Sequence, residues 1–311
     1  MPTERFFFNS VRGKLKIDGI PEVPTLLIDV ATTVHENLDR QVWEFKAAVE
    51  SCDLVQSVRK LYQLQKELIE GVIKLGLGGL CFTQLYDDVH RANLSKQCNS
   101  MQEVKETMEW YRKREFPSQC ESYSEASPTP GKFVVRRQGD HKMLKNVHWD
   151  PPVVREYLAR FGADVGASSG KVLPIVPGVD HFGCEQAREF LVLTGQYDLA
   201  LLQEEEMKRV LARIRFIQEE VAELKRNGIE KHDLEETADA LVDVQYYLAG
   251  FMQFMGIQDS FPKIFEALLA DEALPDAAIS EMLGVGHDDE TQSPDSSLNE
   301  SLSSLEDSSE D

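Results

Sequence analysis

No stretch of this 311-residue chain is apolar for long enough to cross a bilayer, because a spanning helix needs about 20 consecutive apolar residues. The opening MPTERFFFNSVRGKLKIDG has an apolar run of only three, so neither a signal peptide nor a membrane anchor is expected there. Positive charge is scarce: 33 lysines and arginines stand against 54 aspartates and glutamates, a formal net charge of −21. Without a basic excess there is nothing to displace the counterions of duplex nucleic acid or to hold anionic lipid, which excludes both as partners. Cysteine is sparse too: Cys52, Cys81, Cys98, Cys120 and Cys184 are widely spaced and form no CxxC pair. An odd, unpaired set excludes a disulfide framework and fits reduced thiols, so a cytoplasmic setting is expected, with the nucleus as the alternative.

The most informative absence is local. Between Leu234 and Phe254 the chain reads LEETADALVDVQYYLAGFMQF, mostly apolar, poor in glycine, and without one lysine or arginine. Its length favours a buried helix over a strand. Glu236, Asp239 and Asp243 fall at i, i+3 and i+7 and so line one stripe of it. Carboxylates against an apolar surface raise their pKa, pair with a cation or bind metal, because an isolated buried charge is costly. With no basic residue in the segment, metal is the expected solution. Upstream, Leu211, Ile214, Ile217, Val221 and Leu224 mark an amphipathic helix on which Glu219, Glu220 and Glu223 share one edge. Asn227-Gly228 reads as its stop and Asp233 as the next N-cap with Glu236 at N3, giving a helical hairpin with facing acidic stripes. Each ExxE or ExxD alone reads as solvated surface, but the hairpin combines them. An all-oxygen ligand set suits magnesium, with manganese as the alternative, and not zinc.

A second pattern is internal. The segment DLVQSVRKLYQLQKELIEGVIKLGL from Asp53 lies on DLEETADALVDVQYYLAGFMQFMGI from Asp233 at a constant shift of 180. Leu61 meets Leu241, Leu68 meets Leu248 and Gly76 meets Gly256. One residue of slippage then sets Phe82, Leu85 and Tyr86 on Phe261, Ile264 and Phe265. The shared spacing of amphipathic helices can also generate such matches. Taken as a repeat, its differences matter most: Gln56, Arg59 and Gln63 stand opposite Glu236, Asp239 and Asp243. Arg40 and Gln41 replace the glutamate pair, and only Glu44 remains, opposite Glu223. The first copy therefore cannot hold metal. It carries instead YDDVHRANLSKQ, with His90, Arg91, Asn93 and Lys96, where the second copy has FEALLADEALPD. Cations and amides in one copy and carboxylates in the other make two halves of one phosphate site.

The motif EExxE, a spacer, then ExxD, present as Glu219, Glu220, Glu223, Glu236 and Asp239, resembles the metal motif of the all-α nucleotide pyrophosphatases, the superfamily of MazG, dimeric dUTPase and phosphoribosyl-ATP pyrophosphohydrolase-like proteins. YDDVHRANLSK, and then GDHKMLKNVHWDPP at Gly139–Pro152, are similar to the VHxxNxxK element and the Gly, Lys and Trp/Pro tail of its phosphoribosyl-ATP pyrophosphohydrolase-like branch. The resemblance implies a mainly α fold in which two tandem MazG-like helical-bundle repeats form a fused pseudodimer, with a small β-hairpin and a disordered acidic tail. The expected boundaries are an N-terminal segment (1–24), a degenerate first repeat (25–155), a linker (156–178), a second repeat with the acidic motif (179–284) and the tail (285–311).

The implied activity is magnesium-dependent hydrolysis of a nucleoside triphosphate, deoxy or not, to the monophosphate and pyrophosphate, a nucleotide-pool house-cleaning role. Glu219, Glu220, Glu223, Glu236 and Asp239 are the expected metal ligands, with Glu219 and Glu220 catalytic and one of that pair orienting the attacking water. Asn93, Lys96, His90, Arg91, Asp243 and Lys145 are expected at the substrate, and Lys142 at phosphate or in tail packing. His90 also admits a capping or surface-packing role. Two departures stand out: polar sequence from Gln97 to Lys132 separates Lys96 from its tail, and the first copy lacks the acids, which leaves one site per pseudodimer. Further homodimerisation is compatible with the pattern. Two other functions fit the same residues, a regulatory protein that senses nucleotide without turnover and a helical scaffold with solvated acidic stripes.

The remaining segments read blandly. FVVRRQGDHKMLK suggests a β-hairpin turning near Gly139-Asp140, and Met101–Glu115 a surface helix laced with i,i+4 charge pairs. Gly166–Gly170 lacks the preceding strand of a phosphate loop and reads as linker. Trp43, Trp110 and Trp149 read as packing anchors. The C-terminal GHDDETQSPDSSLNESLSSLEDSSED has no lysine or arginine and too little apolar area to fold, its acid-flanked serines serving solubility or phosphorylation.

Overall fold

Two aspartates open two of the long helices in the same way. Asp53 Oδ1 accepts from the Gln56 amide at 2.9 Å, and Asp233 Oδ1 accepts from the Glu235 and Glu236 amides at 2.8 and 3.2 Å, pairing donors that a first helical turn leaves without partners. The residue before each is left-handed, Cys52 at φ 57° and His232 at φ 55°. Both helices also end alike. Gly76 (φ 74°) and Gly256 (φ 68°) take the left-handed C′ position, and Leu77 N and Ile257 N reach back to Val72 O (2.9 Å) and Met252 O (3.1 Å).

The computed structural model describes residues 25–77, 80–113, 121–139, 141–164, 182–195 and 203–285. In chain order these form α1 (Ile28–Glu50), α2 (Leu54–Lys74), α3 (Leu80–Leu94), α4 (Met101–Arg112), β1 (Ser122–Ala126), β2 (Phe133–Arg137), α5 (Val154–Asp164), α6 (Cys184–Leu193), α7 (Gln203–Glu223), α8 (Leu234–Phe254), α9 (Phe261–Ala270) and α10 (Asp276–Leu283). Among the described residues the fold is mainly helical with one small antiparallel hairpin. The expected N-terminal segment 1–24, the Gly166–Gly170 run with the rest of the linker from 165, Cys120, and the tail from 286 lie outside the described residues.

Helices α1 and α2 form one hairpin, α7 and α8 another; α1 packs on α7, and α2 on α8. Leu38, Val42, Phe45, Leu61 and Leu68 meet Ile217, Val221, Leu241, Leu248 and Phe251 in a single core. Phe45 stands edge-on to Phe251 at 5.0 Å. Each such side chain contributes roughly 1.5–3 kcal/mol on burial, before the entropy of ordering it is subtracted. Helices α3, α5 and α6 cover α8, while α9 and α10 cover α2.

Four sequence expectations need correction. Asn227-Gly228 does not stop α7: the chain runs on through a π-helical turn, Leu224–Ile229, closed by Glu230 N to Lys225 O at 2.9 Å. Gly228 is there for space, since a Cβ would lie 2.3 Å from Thr237 Oγ1. The hairpin pairs β1 with β2, Ser122 opposite Arg137 and Ala126 opposite Phe133, so its turn is Ser127–Lys132 and not Gly139-Asp140. Residues 142–144 return along the other edge of β2, through Arg137 N to Lys142 O and Leu144 N to Val135 O, which aims Lys142. Asp140 lies outside the described residues. The stretch expected as linker begins with a helix, because α5 runs to Asp164 and packs on α3. Finally, Trp43 and Trp110 are 55% and 45% exposed, so neither anchors the core.

Candidate active site

The acidic residues sit where α7 and α8 pack side by side. Glu220 is buried, Glu219, Glu223, Asp239 and Asp243 are partly buried, and Glu236 is exposed in the first turn of α8, beside the connection between the two helices. Burial first, and then the charge of Asp243, push the Glu220 carboxyl up to about 8. The same two causes in the same order raise Asp239 to about 7. Asp243 is raised as well, by burial that outweighs the nearby ammonium groups of Lys96, Lys145 and Lys142. Glu223 acts on all three. Carboxyls this reluctant to ionise are short of positive charge.

The chain supplies part of that charge from outside the hairpin, which the absence of basic residues in α8 did not foretell. Lys142 Nζ donates to Glu219 Oε2 at 2.8 Å and lies 3.8 Å from Glu220 Oε1. Burial works against this ammonium, but the Glu219 hydrogen bond and the charge of Glu220 prevail, and its pKa is raised. Its shaft runs beside Phe216 and Tyr247, with Nζ 5.2 and 6.0 Å from the ring centres. Arg137 approaches Glu219 at 4.0 Å. Lys145 stands 3.6 Å over the Trp149 ring, whose indole N–H donates to Ala92 O at 2.9 Å.

The second expected element meets the first. Asn93 is buried near the end of α3, and the Lys96 ammonium donates to its Oδ1. Burial pulls the Lys96 pKa down to about 8, against the favourable charges of Asp243 and Glu220. Asn93 and Lys96 therefore adjoin the acidic cluster across more than a hundred residues of sequence. Two neighbours do not point there. Arg91 binds Asp88 at 2.7 Å, Asp150, and Pro151 O at 3.1 Å, strapping the 150 segment to α3. His90 turns to Tyr246 Oη at 3.0 Å and Glu189 Oε2 at 3.1 Å. Sequence reasoning missed Tyr246, Tyr247, Phe216, Arg137 and Glu189; of these Tyr246 and Tyr247, one turn beyond Asp243 at i+3 and i+4, carried a signal.

Among the described residues no group of three or more His, Cys, Asp or Glu side chains already stands in metal-holding geometry. The Lys142 ammonium draws Glu219 to itself instead. The donor chemistry nevertheless fits a hard divalent cation. Every candidate ligand is a carboxylate oxygen, and Asp239 Oδ1 is buried without a hydrogen-bond partner, an arrangement that costs roughly 1–3 kcal/mol or more unless a partner arrives.

Residues 194–271 match the family model for phosphoribosyl-ATP pyrophosphohydrolase, part of the MazG-like all-α NTP pyrophosphatase superfamily. All the acidic candidates lie inside the match, while Asn93, Lys96, Lys142 and Lys145 lie outside it. No curated protein and no solved structure matches the chain. The family match carries a coarse reaction class, a pyrophosphohydrolase acting on phosphoanhydride bonds.

Proposed function

Proceeding from a pyrophosphohydrolase-type domain over residues 194–271, we propose that this chain hydrolyses a nucleoside triphosphate to the monophosphate and pyrophosphate. The observation that carries the reading is the half-buried Lys96 ammonium, held by Asn93 Oδ1 and exposed to the charges of Asp243 and Glu220. A half-buried ammonium and a buried amide beside a carboxylate cluster can recognise a polyphosphate that brings its own divalent cation.

Glu219, Glu220, Glu223, Glu236 and Asp239 would hold magnesium, or manganese, which supplies Lewis acidity toward the phosphate oxygens and toward water. Glu220 orients the attacking water and accepts its proton as the oxygen bonds to the α-phosphorus and the bond to pyrophosphate breaks. Asp243 braces the cluster and faces the sugar or base. Lys96 and Asn93 take phosphate oxygens, and Lys145 and Lys142 complete the positive side.

The proposal includes a fused pseudodimer with one site. It is supported by the paired caps Asp53 and Asp233 and by Gln65 Nε2 donating to Gln245 Oε1 at 2.6 Å, a contact between positions 180 apart. The π-helical turn inserts one residue into the second copy, so Glu44 lies opposite Glu223 at a shift of 179 upstream of it. In the first copy the corresponding places are closed by ion pairs, Lys60 with Glu44 at 2.7 Å and Arg59 with Asp276 at 2.6 Å.

The salt bridge from Lys142 into the glutamate pair favours one rival, a nucleotide sensor whose acids are neutralised from within. A panel of ribo- and deoxynucleoside triphosphates, followed for pyrophosphate release with and without magnesium, separates the two. Magnesium-dependent release supports the enzyme, and binding without release from any nucleotide supports the sensor.

A further inference from the structure

Lys142 reaches the acidic residues from a backbone that is held on both sides. Residues 142–144 run along the edge of β2, with Arg137 N donating to Lys142 O at 2.9 Å and Leu144 N to Val135 O at 2.8 Å. Strand β2 is itself fastened to the helical body: Arg136, 4% exposed, donates to Thr194 O just beyond α6 and to His141 O, the carbonyl before Lys142. Fixed at its root, Lys142 has its flexible four-carbon stem to move with. Its ammonium nitrogen lies 5.2 and 6.0 Å from the ring centres of Phe216 and Tyr247, within the range over which an aromatic face attracts a cation. That ammonium donates to Glu219 Oε2 at 2.8 Å and stands 3.8 Å from Glu220 Oε1. Arg137, from the same strand, approaches the other oxygen of Glu219 at 4.0 Å, so it is Lys142 that lies against both glutamates.

We infer that Lys142 is the resident counter-cation of the Glu219–Glu220 pair and makes the site select a divalent cation that arrives with a polyphosphate over the same cation alone. A dication coordinated by this pair needs the oxygen that Lys142 holds, and an ammonium left beside it repels it. The metal alone therefore binds against Lys142. A cation that carries phosphate gives the displaced ammonium a new partner, because a phosphate oxygen accepts a charge-assisted hydrogen bond as the carboxylate did. The stem allows the exchange while the backbone stays on β2. By linkage, the factor by which polyphosphate raises metal affinity is the factor by which metal raises polyphosphate affinity. Lys142 lies outside the matched residues 194–271, so the coupling joins the matched segment to the rest of the chain. The place of the cation rests on the proposed function; the hold of Lys142 on the glutamate pair does not.

The test is calorimetric titration of the full-length protein and of Lys142→Met, which keeps an unbranched stem and removes the charge. Manganese alone is expected to bind Lys142→Met about tenfold more tightly than the wild type, and magnesium tripolyphosphate about tenfold more weakly. The opposite signs are the signature. A lysine that serves only the fold moves both affinities the same way, and one that serves only phosphate leaves the affinity for manganese unchanged. Lys142→Arg keeps the charge on the glutamate pair, so its manganese affinity does not rise. Should Lys142→Met fail to fold, Lys142→Gln is titrated in its place with the same two expectations. Manganese bound no more tightly by the neutral variant, or tripolyphosphate bound no more weakly, overturns the inference. Neither titration reads turnover. Opposite signs in a protein that releases no pyrophosphate from any nucleotide sink the hydrolysis alone; magnesium-dependent release with an unchanged manganese affinity in Lys142→Met sinks the inference alone.

Discussion

Replacing Glu220 by glutamine separates a carboxylate kept for a cation from one kept for the fold. The side chain is buried, and its carboxyl ionises near 8 in place of 4.5, through burial and then the charge of Asp243. The folded chain thus holds this proton more tightly than the unfolded chain, so the contribution is fully present below pH 4.5 and is lost as pH rises toward 8. At about 1.4 kcal/mol per pH unit the ceiling on that loss is about 5 kcal/mol. Lys142, 3.8 Å away, offsets part of it, and a net gain of about 2 kcal/mol for Glu220→Gln at pH 8.5 without metal corresponds to roughly 4–8 °C in Tm. At pH 4.5 the two proteins should melt together. Excess magnesium should reverse the order at pH 8.5, because a ligand at a hundred times its Kd adds about 2.7 kcal/mol to the protein that binds it. The assay is differential scanning fluorimetry at both pH values, in EDTA and in magnesium. A Glu220→Gln protein that melts below wild type at pH 8.5 in EDTA would make Glu220 a structural partner of Lys142 and refute the reasoning.

Other consequences are simpler. Lys96→Ala should lower kcat/KM by roughly 10²–10³ while leaving the magnesium-induced rise in Tm in place; a loss of both would tie Lys96 to metal binding. Gly228→Ala would drive a methyl to 2.3 Å from Thr237 Oγ1 and 3.0 Å from its Cα, a clash worth about 1–3 kcal/mol, and urea unfolding indistinguishable from wild type would contradict it. Gln65→Leu removes a buried donor from Gln245 Oε1 and should cost about 1–3 kcal/mol; coupling to Gln245→Leu in a double-mutant cycle is the check.

The helical hairpin was legible because its signals are local: apolar spacing, the Asp233 cap and the acidic stripe all lie within a few turns of each other. The π-helical turn was not, because Asn227-Gly228 has the composition of a stop, and only contact with Thr237 shows that glycine serves close packing. The same limit hid the charge balance. Segment 234–254 has no cation of its own, but Lys142 reaches Glu219 on the neighbouring helix across a sequence separation of 77 residues, aimed by the edge of β2. Arg91 and His90 sit in a motif whose composition suggests substrate contact, yet Arg91 pins Asp150 and His90 faces Tyr246. Residue type identified the cluster, and tertiary pairing turned Arg91 and His90 toward neighbouring protein groups.

The central claim is that Asn93 and Lys96 from one half of the chain and the acids of the other surround one cation-dependent site. Titration with manganese, followed through the side-chain amide resonance of Asn93, tests it directly. Paramagnetic broadening of that resonance, absent from Glu220→Gln and Asp239→Asn, is the expected result. Manganese binding that leaves Asn93 sharp, or broadening that survives loss of the acids, would contradict it.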